Sequence, residues 1–399
     1  METMRNEDNS VTENRTQNRG RKEEKREDEA YVQRRRELIR MKKERRRKQL
    51  IRRYMIAGAG GMVLIIITVG LIFQAGNKKK KQEIPQKNQV ETEIYKETEP
   101  LEEGGRLETE TEQIPISSQD TSESLPVKSY QAQITEETQP MNGEVFSNYG
   151  IFIDLETGKV LAERNASEVI NPASMTKILT VLTAAELIPE ERLDEKIAVS
   201  KEATEYSFVN DCSNAGFETG EEVTIRDLFY GTILPSGGEA AAELAMTAAG
   251  SLDAFVDKMN EKAEELGISD TAHFTNCAGL YDKNHHCTVY DMAMILEAAL
   301  DNPFCREVIS AHTYQTTATK EHPEGMLLSN WFLRRIEDKD TGGSVLGAKT
   351  GYVVQSGNCA ASYGTDKKGR TYICVTADAT SSWRCIYDHV ALYKQFSEN

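Results

Sequence analysis

Apolar positions along this chain gather in one solid block near the start and then, from about residue 144, fall into short repeating patterns. The block is YMIAGAGGMVLIIITVGLIFQAG, residues 54–76, which runs for 23 positions without a charge. A helix needs about 20 apolar residues to cross a bilayer, so one transmembrane helix is predicted there. Residues 77–143 show no sustained apolar period and are rich in Glu, Thr, Gln, Ser and Pro, as in ETEIYKETEP. Such a segment buries too little apolar surface to offset its chain entropy. It reads as a disordered acidic stalk, spanning on the order of 45 Å as a coil.

Beyond the stalk the periods become readable. In SNYGIFIDLETGKVLAE two apolar runs flank Glu156-Thr157-Gly158, the pattern of a β-hairpin. Asn171 suits an N-cap and Pro172 the first helical position, and Met175, Ile178, Leu179 and Leu182 then recur at i, i+3, i+4, i+7. A helix with a buried stripe is predicted, with Ser174 in its first turn. TIRDLFYGTIL reads as a helix that stops before Pro235-Ser236-Gly237-Gly238, and AAAELAMTAAG begins another. Toward the end, GAKTGYVV, NCAASYG and TYICVTADA read as three consecutive antiparallel strands, the last two joined by Asp366-Lys367-Lys368-Gly369.

The 399 residues exceed what one core normally covers, and 39% hydrophobic content with a mean hydropathy of -0.54 excludes both a polytopic membrane protein and a wholly disordered chain. The formal charge of -16 hides an asymmetry: residues 1–53 hold 19 Lys+Arg against 11 Asp+Glu, and residues 144–399 hold 21 against 39. Twelve of the basic residues lie in 33–53, immediately before the span, against only Lys78 to Lys81 just after it. The positive-inside rule therefore puts the N-terminus in the cytoplasm and the rest outside, at the cell membrane with a single pass. A signal peptide has a shorter apolar region, about 7–15 residues, and far less chain ahead of it. The basic run also matches nucleic-acid-binding patterns, but beside a span it is better explained by topology and anionic lipid, and no nucleic-acid partner is expected. The layout is thus a basic cytoplasmic tail (1–53), a transmembrane helix (54–76), a disordered stalk (77–143) and a folded domain (144–399).

All seven cysteines lie in the exported part, without a CxxC spacing, and Cys277 with Cys287 is the pair that proximity favours. The six histidines form neither HExxH nor a helical pair, and His285 and His286 are adjacent; neither a metal site nor a cofactor is predicted.

Three stretches carry chemistry. Lys177 follows Ser174 by three residues, which places both on one helical face, and a desolvated lysine can be neutral enough to take a serine proton. Ser236 sits in a turn between helices. Lys349, Thr350 and Gly351 on a strand offer positive charge, a hydroxyl and room for a ligand backbone. S-x-x-K, a Ser motif and K-T-G in this order are the set of penicillin-binding proteins and class A β-lactamases. IDLETGKVL, NPASMTKILT, FVDKMNEKAEELGISDTAHFTNCAGL, His286-Cys287-Thr288-x-x-Asp291 and GAKTGY follow the same order as in one such group. Residues 144–399 resemble the D-alanyl-D-alanine carboxypeptidase family of low-molecular-mass penicillin-binding serine peptidases.

That resemblance implies an α+β fold, an antiparallel five-stranded sheet packed between helices. It also implies removal of the terminal D-Ala from peptidoglycan stem peptides through an acyl-enzyme, with β-lactams as covalent inhibitors. Ser174 would be the nucleophile, Lys177 its base, and Ser236 a proton shuttle to the leaving amine. Lys349 and Thr350, beside Gly351, would bind the substrate carboxylate, and the backbone N–H groups of Ser174 and Tyr352 would form the oxyanion hole. Two features depart from the family. Ser236-Gly237-Gly238 stands where Ser-x-Asn is usual, and only 50 residues follow Lys349, so the N-terminal span is expected to replace a C-terminal anchor. A DD-endopeptidase, a β-lactamase and a catalytically weak wall-binding or β-lactam-sensing domain are the alternative readings. A β-lactamase would need a deacylating carboxylate, and no candidate stands in a recognisable loop context.

Overall fold

The computed structural model describes residues 129–141 and 143–397. The basic tail, the apolar span and the stalk as far as residue 128 lie outside the described residues. Among those described, no helix is long and apolar enough to cross a membrane.

Strands β1 (Gln139–Pro140), β2 (Tyr149–Asp154) and β3 (Lys159–Arg164) open the domain. Two short ribbons follow, β4 (Lys196–Ala198) with β5 (Glu222–Thr224) and β6 (Thr313–Gln315) with β7 (Leu327–Ser329). Strands β8 (Gly343–Val353), β9 (Gly357–Asp366) and β10 (Thr371–Ala379) then complete a sheet of order β1-β3-β2-β10-β9-β8. Its five longer strands are antiparallel, as expected, with Ile151 opposite Val375 and Lys349 opposite Ala361.

Successive side chains of each strand point to opposite faces of the sheet, and because both faces are covered the central strands are buried almost continuously. Ile151, Ile153, Ile373 and Val375 point into the main core with the helices α1 (Lys177–Leu187), α2 (Lys201–Val209), α3 (Ile225–Ile233), α4 (Gly238–Ala249), α5 (Leu252–Glu265), α6 (Val289–Asp301) and α7 (Pro303–Ser310). The opposite face carries α8 (Leu333–Ile336) and α9 (Ser382–Ser397). There Phe152 stacks on Tyr372 at 5.3 Å and on Phe396 at 5.3 Å, and meets the edge of Tyr393 at 5.2 Å. Truncating so enclosed an aromatic ring costs about 3–5 kcal/mol.

Two expectations are corrected here. The sheet has six strands, because β1 pairs parallel to β3 from within the stretch read as stalk, with Gln139 opposite Ala162. The backbone makes this attachment: Gln133 N donates to Gly158 O at 2.8 Å, Val160 N to Gln133 O at 2.9 Å, and Thr138 Oγ1 to Val160 O at 2.7 Å. An edge strand held by main-chain bonds needs no apolar period, so the polar sequence concealed it. The pair Cys277 and Cys287 is not bridged; each is a separate buried thiol. Cys277 lies toward Lys177 and Tyr206, Cys287 toward Asp291 and Cys359.

Aromatic side chains and arginines alternate over the surface of α8 and α9. Arg335 lies 5.2 Å from the ring centres of both Trp331 and Trp383, and Trp383 faces Tyr387 at 6.2 Å. Arg384 then spans Tyr387 and Phe146, at 5.8 Å and 4.4 Å.

Candidate active site

The chain reaches α1 through a distorted entry. Asn171 Oδ1 accepts from Ala173 N at 3.0 Å, Ala173 takes a φ of +47°, and residues Ala173–Thr176 form a single 3-10 turn. A non-glycine residue at positive φ is strained, and such strain persists only where the surroundings enforce it. Ser174 lies on this turn, half-buried, and Lys177 opens the α-helix proper. Every residue from Lys177 to Ala184 is buried, so α1 is central rather than striped.

Lys177 Nζ lies 3.2 Å from Ser174 Oγ and donates to the carbonyl oxygen of Ala278 at 2.7 Å. Burial lowers the pKa of this amine, against an opposing pull from Cys212, Cys277 and Glu239. The Ala278 carbonyl is held by Asn276, whose Oδ1 accepts from the backbone N–H groups of Ala278 (3.2 Å), Gly279 (2.8 Å) and Leu280 (2.8 Å). One amide side chain thereby shapes the loop that orients the lysine.

Strand β8 runs at the sheet edge beside the serine. At Gly351 any Cβ would come within 2.9 Å of Pro172 O and 3.0 Å of Ser174 N, so only glycine lets the strand approach the nucleophile's backbone. Lys349 is buried, and its Nζ donates to Thr350 O at 2.9 Å. Burial first, and then the charge of Lys177, push its pKa well below the usual lysine range, with Cys359 opposing. Asn330 braces the strand from behind, donating to Ala348 O at 2.9 Å. Tyr352 is 54% exposed at the mouth of the site.

Ser236 is placed differently. It follows α3 at a φ of +65°, and its Oγ is buried without a hydrogen-bond partner, so it is not joined to the Ser174–Lys177 pair. His285 is structural. Its Nδ1 accepts from Thr275 N at 3.1 Å, which leaves Nε2–H to donate to Thr176 Oγ1 at 2.9 Å, and burial lowers its pKa to about 4.

Sequence reasoning thus named Ser174, Lys177 and Lys349, and missed Asn276, Ala278 and Gly279. The stretch FTNCAGL had pointed to the right loop, but a backbone carbonyl carries no residue-type signal. The stretch His286-Cys287-Thr288-x-x-Asp291 ends in a capping box for α6. Thr288 N donates to Asp291 Oδ2 at 2.8 Å, and Asp291 N to Thr288 Oγ1 at 3.0 Å.

Comparison with known proteins agrees with this geometry. The family profile described as D-alanyl-D-alanine carboxypeptidase matches residues 133–381. The D-alanyl-D-alanine carboxypeptidase DacF of Bacillus subtilis is 36% identical over 150 residues, which is 38% of this chain and 38% of that protein. The D-alanyl-D-alanine carboxypeptidase of Streptomyces sp. strain K15 is 29% identical over 240 residues, 56% of this chain and 78% of that one. The matches to the Bacillus enzyme and to DacC of Escherichia coli each span only 38% of the relative's length. Among solved structures, the Streptomyces K15 DD-transpeptidase superposes with a TM-score of 0.57 at 26% identity, covering 64% of this chain and 99% of its own. A D-alanyl-D-alanine carboxypeptidase from Mycobacterium tuberculosis H37Rv gives 0.57 at 25% identity, covering 66% and 96%. With the profile spanning most of the described residues, and the serine, the lysine and the Lys-Thr-Gly strand converging on one turn, the chain belongs to the D-alanyl-D-alanine carboxypeptidase family.

Proposed function

We propose that this protein is a serine DD-carboxypeptidase that removes the terminal D-Ala from peptidoglycan stem peptides through an acyl-enzyme. The observation that carries this reading is the buried amine of Lys177, 3.2 Å from Ser174 Oγ. Burial lowers the pKa of this amine and so favours its neutral form, and Lys177 takes the Ser174 proton as Oγ attacks the carbonyl carbon of the penultimate D-Ala. The backbone N–H groups of Ser174 and Tyr352 receive the developing oxyanion, a contribution of roughly 3–4 kcal/mol per donor. Lys349 and Thr350 hold the terminal carboxylate, and the arriving negative charge restores the ammonium form that burial disfavours. Ser236 passes the proton to the departing D-Ala nitrogen. A buried hydroxyl without a partner costs about 1–3 kcal/mol, which supports a partner that arrives with the substrate. Water then hydrolyses the ester. β-Lactams acylate the same serine.

The 23-residue apolar segment and its basic flank support a single-pass anchor with the domain outside the cell. Protease added to intact cells should release the domain by cutting between residues 77 and 128, and a domain untouched by external protease would refute that topology. For the chemistry, the full chain and Ser174→Ala are compared for D-Ala release and for labelling by a fluorescent penicillin. The variant should stay folded and lose both; labelling that survives would remove Ser174 from its role.

A further inference from the structure

A cavity of about 310 Å³ opens past the end of strand β8, and none of Ser174, Lys177 and Lys349 lines it. Its walls come from separate parts of the chain: Asn171 just ahead of the nucleophile's turn, Asp282, Lys283 and His286 from the loop before α6, Gln355 from the turn between β8 and β9, and Asp378 from β10. The volume lies at the lower end of small-ligand pockets, room for one side chain rather than for a whole peptide.

Hydrogen bonds fix these walls. Asn171 Nδ2 donates to His285 O at 2.9 Å, which holds the loop before α6 against the entry to α1. Within that loop Asn284 N donates to Asp282 Oδ1 at 2.8 Å, and His285 N to Asp282 O at 3.1 Å. On the opposite wall Val353 N donates to Ser356 Oγ at 3.0 Å, and Asp378 N to Ser356 O at 3.0 Å. Asp378 takes a φ of +60° where the β9–β10 register breaks, and Asn148 Nδ2 donates to its Oδ2 at 2.7 Å. Its Oδ1 occupies the space beside Gly357, where a Cβ would fall 2.6 Å from it, so glycine there leaves the carboxylate its place. A strained non-glycine backbone, braced on both sides, thus carries one acid of the cavity. Lys283 is exposed and forms no ion pair among the described residues.

The direction of the substrate decides what reaches this cavity. On the carboxypeptidase reading above, on which this inference rests, the terminal carboxylate lies at Lys349 and Thr350 and the scissile carbonyl at the N–H of Tyr352. Traced back toward its N-terminus, the peptide therefore runs from Thr350 toward Val353. β8 is the edge strand of the sheet, and an extended peptide laid along an edge advances about 3.3 Å per residue. The residue before the D-Ala pair is carried to the end of the strand, where Gln355 and Ser356 line the cavity. We propose that the cavity receives the side chain of this third stem residue and takes one that ends in both an ammonium and a carboxylate. Asp282 and Asp378 face the ammonium, and Lys283 faces the carboxylate. A simple amine would leave Lys283 without a counter-charge, and an apolar side chain would leave all three charges unanswered.

The test follows D-Ala release by the full chain from three pentapeptides that differ only at the third residue: a diamino diacid, lysine and norleucine. In the wild type kcat/KM should fall in that order, about fivefold for the lost carboxylate contact at an exposed lysine and about tenfold for the lost ammonium contacts. Lys283→Met should remove the preference for the diamino diacid over lysine. Asp378→Asn, a residue that tolerates positive φ, should shrink the preference for lysine over norleucine. Each preference is a ratio measured within one protein, so a variant that folds less well still reports it. Equal rates on the three peptides in the wild type, or ratios that neither substitution moves, overturn the assignment while D-Ala release leaves the carboxypeptidase reading standing. A wild type that neither releases D-Ala from any of the peptides nor reacts with a labelled penicillin overturns that reading, and this one with it.

Discussion

Gly279 lies so close to Ala173 that a single carbon added to it would fall 1.8 Å from the Ala173 carbonyl oxygen. Both residues have left-handed backbones, with φ of +77° and +47°. The strained turn at Ala173 and the glycine turn at Gly279 are pressed together behind the nucleophile, and only glycine at 279 leaves room for the Ala173 carbonyl. Gly279→Ala should therefore destabilise the domain by about 2–4 kcal/mol and abolish most acylation. Urea unfolding followed by circular dichroism, together with penicillin labelling, checks this; a variant within a few tenths of wild-type stability would contradict it.

Asn276 makes a separable prediction. Its Oδ1 serves three consecutive backbone N–H groups, and the loop so formed carries the Ala278 carbonyl to Lys177. Asn276→Ala should cost about 1–3 kcal/mol and slow acylation, because the lysine loses its fixed acceptor. Asn276→Asp keeps the accepting oxygen and should retain more of both. Equal losses in the two variants would mean that the three bonds do not set the loop.

Lys349 is expected to trade stability for function. Its folded pKa is depressed, so the unfolded chain holds the proton more tightly and stability rises with pH. At neutral pH the buried amine therefore costs stability. Lys349→Met should raise the melting temperature by roughly 2–4 °C, on the order of 1 kcal/mol, while weakening recognition of the substrate carboxylate. A melting temperature that falls would show that the amine is better compensated than its burial suggests.

The base predicts the pH dependence. Burial lowers the pKa of Lys177, so the neutral amine is present at lower pH than for a free lysine. Acylation should rise with pH through that titration and level off once the amine is neutral, the midpoint lying below the ordinary lysine range. Lys177→Arg, which stays charged, should be slow at every pH. A rate that declines steadily with rising pH across this range would exclude lysine as the base.

Much of this site was legible in the chain because the residues that do chemistry sit on elements with clear periods. Ile151 and Ile153 alternate with Phe152, which marks β2 as a strand with two covered faces, and the i, i+3, i+4, i+7 spacing of Met175, Ile178, Leu179 and Leu182 located α1, although the helix proved buried all round from Lys177 to Ala184. What escaped was contact made by backbone or across loops. Strand β1 joins the sheet through main-chain bonds and shows no apolar period. Ala278 acts through its carbonyl oxygen. Cys212 reaches Gly238 only because Glu239 clamps a loop from an earlier helix, and no local pattern records that fold-back. The glycine at 238, read in isolation as a missing group, is the counterpart of that cysteine.

The ladder of rings over α8 and α9 has a spectroscopic consequence. The chain has two tryptophans, Trp331 and Trp383, which are 63% and 48% exposed and clasp the same arginine. Their native emission should already lie near that of indole in water and be open to collisional quenchers. Unfolding would then change the colour of the fluorescence little, and what change occurs would record release from Arg335 rather than loss of the core. Tyr372, Tyr393 and Phe152 are buried in the aromatic cluster, so near-ultraviolet circular dichroism follows the packing that tryptophan emission does not see.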